Sequence, residues 1–261
     1  MDTYKRLYLG TNTKMYKNIG ETMDFLQQLH TLTYDLKDLP LELFVIPSYT
    51  SLDRAGNFLS NSHIRLGAQN MGWTKEGQFT GEISPLMLQE TGVSIVEIGH
   101  SERRHILGET DGLAEMKVAC AAEYGFTPLL CIGETKQQRE YGLSDETLST
   151  QIKIGLHSIN HQQARNLWIA YEPVWAIGVN GTPATPEYVS RRHNTIRNVL
   201  KELFGEESGS AVPILYGGSV NPDNASDFIQ LMNVDGLFIG RSAWDAEQFN
   251  HIIRQILLLC Q

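Results

Sequence analysis

The sequence IVEIGHSERRHILGETDGLAEMKVACAAEYGFTPLLCI, residues 95–132, decides the fold class. A short apolar run stands at each end, Ile95–Ile98 and Pro128–Ile132. Between them, apolar residues recur every three or four positions over Leu113–Tyr124, which is the period of a helix packed on one face. A strand, a helix and a second strand in this order form a parallel pair, because the helix returns the chain to the end of the sheet where the first strand began.

The same alternation extends over the whole chain and predicts eight strands. The other apolar runs are Arg6–Leu9, Leu43–Ile46, Ile64–Ala68, Leu167–Tyr171, Pro213–Tyr216 and Leu237–Ile239, and further helical patterns are Ile19–Leu36, Thr147–Ser158, Tyr188–Phe204 and Asn224–Met232. Eight such units in 261 residues predict one closed (β/α)8-barrel domain over residues 1–261. No G-x-G-x-x-G follows the first strand, which disfavours an open dinucleotide-binding sheet. The polar stretch Gly205–Ser210 is expected to be a surface loop.

Composition excludes several classes of partner. The formal net charge is −9, and no Lys/Arg-rich run is present to follow a nucleic-acid backbone. No apolar run reaches the roughly 18 residues of a membrane span, and the polar start MDTYKR is unlike a secretory signal, so the protein is expected in the cytoplasm. The cysteines, Cys120, Cys131 and Cys260, lie far apart with no CxxC pair, so the spacing predicts neither a zinc site nor a redox pair.

Polar side chains follow the predicted strands at the end where barrels of this type hold their active sites. Strand 1 is followed by Asn12 and Lys14, strand 4 by His100 and Glu102, and strand 6 by Glu172. Strands 7 and 8 run into the glycine-rich segments YGGSV and IGRSAW. Because the chain is acidic, an anionic metabolite needs a local site of backbone N–H groups, which Gly217, Gly218, Ser219 and Gly240 suit.

Six ordered blocks resemble those of triosephosphate isomerases. They are GAQN (67–70), FTGEIS (79–84), GHSERR (99–104), CIGET (131–135), YEPVWAIG (171–178) and YGGSVNP (216–222). The resemblance covers nearly the whole chain and implies a TIM barrel that interconverts D-glyceraldehyde 3-phosphate and dihydroxyacetone phosphate through an enediol(ate). No Asp/Glu/His cluster has the spacing of metal ligands, and an enediol route requires no redox partner, so neither a metal nor an organic cofactor is expected. The segment Asn70–Gly81 resembles the family's protruding third loop, which implies a homodimer.

The chemistry of such an isomerisation needs a base at the carbon and donors at the oxygen where enolate charge develops. Glu172 suits the base, and a neutral His100 suits the donor if it lies at the N-terminal end of the turn Ser101–Arg104. The resemblance implies that Lys14 supplies a catalytic cation paired with Glu102. It also implies that Asn12 contacts substrate and that Gly178 closes onto the phosphate as part of a lid, Pro173–Thr185. A Schiff base between Lys14 and a carbonyl substrate, as in an aldolase, is a weaker alternative.

Three departures from the family pattern bear on the substrate. Thr13 stands where the family has Trp, and this smaller side chain is expected to open space near the substrate. Arg241 stands where the family has Gly and adds a cation at the phosphate loop. The lid, GVNGTPATP from Gly178 to Pro186, is one residue longer than in the family. The lid sequence and GRSAWD resemble a branch linked to erythritol breakdown, whose members isomerise L-erythrulose 1-phosphate and D-erythrulose 4-phosphate. The sequence leaves three alternatives: an isomerase of the three-carbon substrate, an isomerase of the four-carbon substrates, and a sugar-phosphate-binding protein without catalytic activity.

Overall fold

Eight parallel strands form a closed barrel in the computed structural model, which describes residues 6–178 and 181–259. Each strand pairs with the next in chain order, and the eighth pairs with the first. The strands are β1 (Leu7–Asn12), β2 (Leu41–Ile46), β3 (Ile64–Ala68), β4 (Ile95–Ile98), β5 (Thr127–Ile132), β6 (Trp168–Tyr171), β7 (Ile214–Tyr216) and β8 (Gly236–Ile239). The predicted (β/α)8 barrel is confirmed.

Helices surround the barrel. Within the described residues they are α1 (Ile19–Thr33), α2 (Leu52–Leu59), α3 (Pro85–Glu90), α4 (Ser101–His105), α5 (Asp111–Glu123), α6 (Lys136–Glu140), α7 (Ser144–Gly155), α8 (Pro186–Ala211), α9 (Ala225–Ile229) and α10 (Ala246–Leu257). Local sequence explains where they begin. Asn18 and Glu21 form a capping box on α1, and Thr185 caps α8 just before Pro186. None of these helices is long and apolar enough to cross a membrane.

The barrel interior is a packed core because the strands direct alternate side chains inward. Nine buried residues form a cluster that includes Phe44, Leu129, Trp168 and Phe238. Gly10 makes room for the Phe44 ring, since a Cβ at Gly10 would lie 2.3 Å from it. A larger cluster of apolar side chains fills the layer between strands and helices. The interior is therefore filled, and a cavity lies at the carboxyl end of the barrel, lined by residues at and after the strand ends.

Several predicted boundaries were wrong. Asn12 is the last residue of β1, not part of the following loop, because it continues the pairing with β2 up to Ile46. The stretch Gly205–Ser210 is helical: α8 bends at Gly205, whose φ of 77° is left-handed, and then resumes. The first helix ends at Thr33, and a 3-10 turn occupies the remainder of its predicted length.

Candidate active site

Glu172 follows β6 directly and lies at the base of a cavity. Its N–H donates to the carbonyl of Ile132 at 2.8 Å, which fixes its backbone to the end of β5. Its side chain is buried, and Oε2 lies 3.3 Å from Nε2 of His100. Gly217 leaves space for it, because a Cβ there would meet the Glu172 side chain at 2.8 Å. Burial raises the pKa of Glu172 to about 8, although Lys14 acts to lower it.

His100 is the N-cap of α4, as the sequence predicted. Its Nδ1 accepts the N–H of Glu102 at 3.2 Å, so the proton of the neutral ring is on Nε2, which faces Glu172. Burial is the main cause that lowers the pKa of His100 to about 3, and Lys14 and Arg103 lower it further. The ring is therefore a neutral donor at physiological pH.

Lys14 extends into the cavity from a strained backbone, with φ at 53°. Asn12 supports this turn, since its Oδ1 accepts the Lys14 N–H at 2.6 Å. The ammonium lies 2.7 Å from Oε1 of Glu102, which forms the predicted ion pair. Burial acts to lower the pKa of Lys14, but Glu172, Glu102 and Glu97 together raise it. The lysine is a fixed positive charge.

Glu97 belongs to the site, and the sequence analysis did not include it. It lies in β4 and is fully buried, where Asn12 Nδ2 donates to its Oε2 at 2.6 Å and Cys131 Sγ approaches Oε1 at 3.7 Å. Burial and the charge of Glu172 raise the pKa of Glu97 well above its ordinary range. A signal existed in the sequence, because Glu97 is the one charged residue within the apolar run IVEI.

One cavity of about 230 Å³ brings all nine predicted site residues together. They are Asn12, Lys14, His100, Glu102, Glu172, Gly178, Ser219, Gly240 and Arg241. Tyr16 and Trp244, which the sequence analysis missed, also line it; their rings pack 4.8 Å apart, and the Trp244 indole donates to the Asn12 carbonyl at 2.9 Å. The expectation that Thr13 opens space near the substrate was wrong, because Thr13 is fully buried and does not line the cavity.

Ala176, Ile177 and Gly178, in the first part of the predicted lid, line this cavity, and hydrogen bonds hold the segment near both of its ends. Trp175 Nε1 and the Tyr188 hydroxyl each donate to Oε1 of the buried Glu134 at 2.8 Å. The Thr182 N–H donates to the Trp175 carbonyl, and this bond joins the parts of the segment before and after residues 179–180. Arg241 Nη2 lies 3.4 Å from the Gly178 carbonyl. The predicted extra length of the lid falls partly on residues 179–180, outside the described residues.

Residues 7–256 match the family model described as triosephosphate isomerase. The chain belongs to the triosephosphate isomerase family. A crystal structure of triosephosphate isomerase from Bartonella henselae superposes with a TM-score of 0.86 at 34% identity, covering 95% of this chain and 98% of that one.

Relatives within the triosephosphate isomerase family carry two different names. L-erythrulose-1-phosphate isomerase of Rhizobium etli is 44% identical over 96% of this chain and 92% of its own length. Triosephosphate isomerase of Aquifex aeolicus is 43% identical over 95% of this chain and 98% of its own length. The chain is therefore a sugar-phosphate isomerase of this family, and identity alone does not separate the two substrates.

Proposed function

We propose that the protein interconverts L-erythrulose 1-phosphate and D-erythrulose 4-phosphate by proton transfer through an enediol(ate). The observation that carries the chemistry is the 3.3 Å approach of Glu172 and neutral His100 at the base of one cavity. Glu172 removes the proton from the carbon beside the carbonyl and returns it to the neighbouring carbon. A placed base of this kind contributes about 10²–10⁴-fold to the rate.

His100 and Lys14 stabilise the oxygen that becomes negative. The His100 Nε2–H is directed into the site by the bond on Nδ1, and Lys14 holds its charge through Glu102. Both groups are fixed before substrate arrives, so little reorganisation accompanies the reaction. Glu97, bonded to Asn12, helps hold the end of β1 that presents Lys14.

The phosphate is proposed to bind on the glycine-rich rim. Backbone groups of Gly217, Gly218, Ser219 and Gly240 line one side of the cavity, and Gly178 faces it from the lid. Gly217 and Gly218 also leave room for neighbouring side chains, because a Cβ at Gly217 would lie 2.8 Å from Glu172 and one at Gly218 would lie 2.0 Å from the Tyr216 hydroxyl. Arg241 adds a cation at this rim, with a planar fork of donors for phosphate or hydroxyl oxygens.

The four-carbon substrate carries a hydroxymethyl group where the aldehyde of the three-carbon substrate has hydrogen. Arg241, Tyr16 and Trp244 give this cavity polar and aromatic surface for the additional group. The L-erythrulose-1-phosphate isomerases of Rhizobium etli and Rhizobium meliloti are each 44% identical to the chain. Triose phosphate isomerisation is the second candidate, favoured by the 43% identity to the Aquifex enzyme and by the same proton-transfer chemistry.

We expect a higher kcat/KM on L-erythrulose 1-phosphate than on D-glyceraldehyde 3-phosphate. A site built to bond a substrate hydroxyl loses several kcal/mol when that hydroxyl is missing, so the expected preference is at least about tenfold. Purified protein is assayed on both substrates side by side. A kcat/KM for the triose near the diffusional ceiling of about 10⁸ M⁻¹s⁻¹, with the tetrulose slower, would assign the three-carbon reaction.

Activity is expected to rise with pH through the pKa of Glu172. The base acts only when ionised, and its pKa is about 8, so kcat/KM increases about tenfold per pH unit below that value and levels off above it. His100, with a pKa of about 3, stays neutral and adds no inflection. The substrate phosphate titrates near pH 6, which separates the two effects. A flat profile between about pH 7 and pH 9 would contradict the assignment.

We propose that two copies associate through the loop Asn70–Gly81. In this loop the Phe79 ring packs edge-on against Trp73 at 4.7 Å and remains 43% exposed. Loops after β1 and β4, at the same end of the barrel, expose Met15 and Ile106. Such surface is costly in water and is typical of an interface. Sedimentation equilibrium is expected to give twice the chain mass of 29.3 kDa. The cytoplasm remains the proposed compartment.

A further inference from the structure

Trp244 joins the loop after β8 to the end of β1. It follows the 3-10 turn Arg241–Ala243, and its Nε1–H donates to the Asn12 carbonyl at 2.9 Å. The pairing between β1 and β8 ends one residue earlier, at Thr11 and Ile239. The indole N–H thus takes the place that the next backbone donor of a parallel ladder would have.

The same ring packs against the far end of the turn that carries Lys14. The turn Thr13–Tyr16 is closed by the Tyr16 N–H, which donates to the Thr13 carbonyl at 3.2 Å. The centroid of the Tyr16 ring lies 4.8 Å from that of the Trp244 ring, and the two planes meet at 42°. Trp244 therefore contacts the chain immediately before the turn and again at the last residue of the turn.

The turn needs this support because its backbone is strained. Lys14 has a φ of 53°, in the left-handed region, and a residue with a side chain keeps that conformation only where surrounding contacts impose it. Asn12 Oδ1 accepts the Lys14 N–H at 2.6 Å, and Gln69 Nε2 donates to the Lys14 carbonyl at 2.7 Å. Asn12 is in turn fixed by Glu97 at its side chain and by the indole at its carbonyl. Loosening Asn12 therefore releases the strained residue.

The position of the Lys14 ammonium matters because it is a charge in the cavity. Its Nζ lies 2.7 Å from Glu102 Oε1, and the lysine lines the same cavity as Glu172 and His100. A fixed charge stabilises a developing oxyanion only at short distance, and a displacement of about 1 Å can lower a rate by about 10²-fold. The proton-transfer chemistry therefore requires that the turn be held rigidly.

We propose that Trp244 is a positioning residue for Lys14. It holds both ends of the turn Thr13–Tyr16 and thereby keeps the ammonium where the negative oxygen forms, without exchanging a proton itself. The holding of the turn depends only on the contacts described above. Its effect on the rate rests on the proposed function, because that effect requires Lys14 to act on the substrate.

The first test measures hydrogen exchange of the turn. Trp244→Phe keeps a ring beside Tyr16 and removes the N–H, so the Lys14 and Tyr16 amides are expected to exchange about tenfold faster, as for one lost hydrogen bond. Tyr16→Ala removes the other contact from a side chain that is 62% exposed, so it preserves the fold and is expected to speed the same exchange. The matched control is the exposed Tyr34→Phe, which also keeps a ring, loses one polar group and leaves the turn unchanged.

The second test measures steady-state rates on whichever sugar phosphate is the better substrate. In Trp244→Phe, kcat is expected to fall about ten- to a hundredfold and KM to change less, because the lysine charge acts on the transition state. Lys14→Met removes that charge, so adding Trp244→Phe to Lys14→Met is expected to lower kcat no further. A ring that acted by touching the substrate would lower the rate in both backgrounds.

Unchanged exchange of the turn in both Trp244→Phe and Tyr16→Ala would overturn the proposal. Equal fold losses of kcat with and without Lys14 would also overturn it, since Trp244 would then act by another route. Faster exchange with an unchanged kcat in an active enzyme would show a purely structural bond and remove the effect on the reaction. Unmodified protein that turns over neither sugar phosphate, yet shows the expected exchange, would contradict the proposed function alone.

Discussion

Replacing Glu172 with Gln is expected to lower kcat about 10³–10⁴-fold on whichever sugar phosphate is the better substrate. The amide has the shape of the carboxylate and fits beside Gly217, but it cannot accept a proton from carbon. The loss corresponds to about 4–5.5 kcal/mol of activation free energy. Steady-state rates measure it, and exchange of the substrate proton with deuterated solvent reports the proton-transfer step directly.

The control for this substitution is Glu187→Gln in the first turn of α8. Glu187 is exposed and does not line the cavity, so its variant is expected to keep the unmodified rate. Circular dichroism verifies that both variants fold. A Glu172→Gln enzyme that retains more than about a tenth of the activity would require another base. The rise of kcat/KM with pH could then not be assigned to ionisation of Glu172.

Replacing Lys117 with Met is expected to destabilise the fold by about 3 kcal/mol. Lys117 in α5 is 1% exposed, and its ammonium lies 2.8 Å from Glu109 and donates to Asn70 at 2.8 Å. Met retains the volume and removes the charge, so the buried Glu109 keeps only Arg103 and the Asn70 amide oxygen loses its donor. For a chain of this size the melting temperature is expected to fall by about 6–12 °C.

Lys153→Met provides a matched control for the effect of burial. Lys153 also lies on a helix and also pairs with a glutamate, Glu202, at 2.8 Å, but both side chains are about half exposed. Exposed pairs contribute about 0–1 kcal/mol, so this variant is expected to melt within a few degrees of the unmodified protein. Both melts use one protein concentration, because dimerisation affects apparent stability. Equal losses in the two variants would show that burial is not the cause.

The barrel could be predicted from sequence because its strands are apolar runs between helical patterns. The eight runs required no knowledge of long-range contacts, and each corresponds to an observed strand. The end of β1 was missed because Asn12 is polar yet pairs beside Ile46 of β2. The helical continuation after Gly205 was missed because its polar, small residues have the composition of a loop.

The candidate site was predicted to the extent that its residues stand directly after strands. Lys14, His100 and Glu172 have that position, and the barrel brings them to one cavity. Glu97 and Cys131 lie inside strands, where spacing along the chain does not reveal that they meet. The neutral state of His100 was predicted from its place at a helix start, but burial is the larger cause, and burial is known only once the fold is known.

The bond from the Trp244 indole to the Asn12 carbonyl joins residues 232 positions apart and helps close the wall of the cavity. It has a consequence for synthesis of the protein. Lys14 leaves the ribosome before Trp244, Arg241 and the whole of β8. A nascent chain therefore has no complete cavity until β8 and Trp244 have emerged, so binding of sugar phosphate stabilises only chains that have reached this length and cannot assist earlier stages of folding.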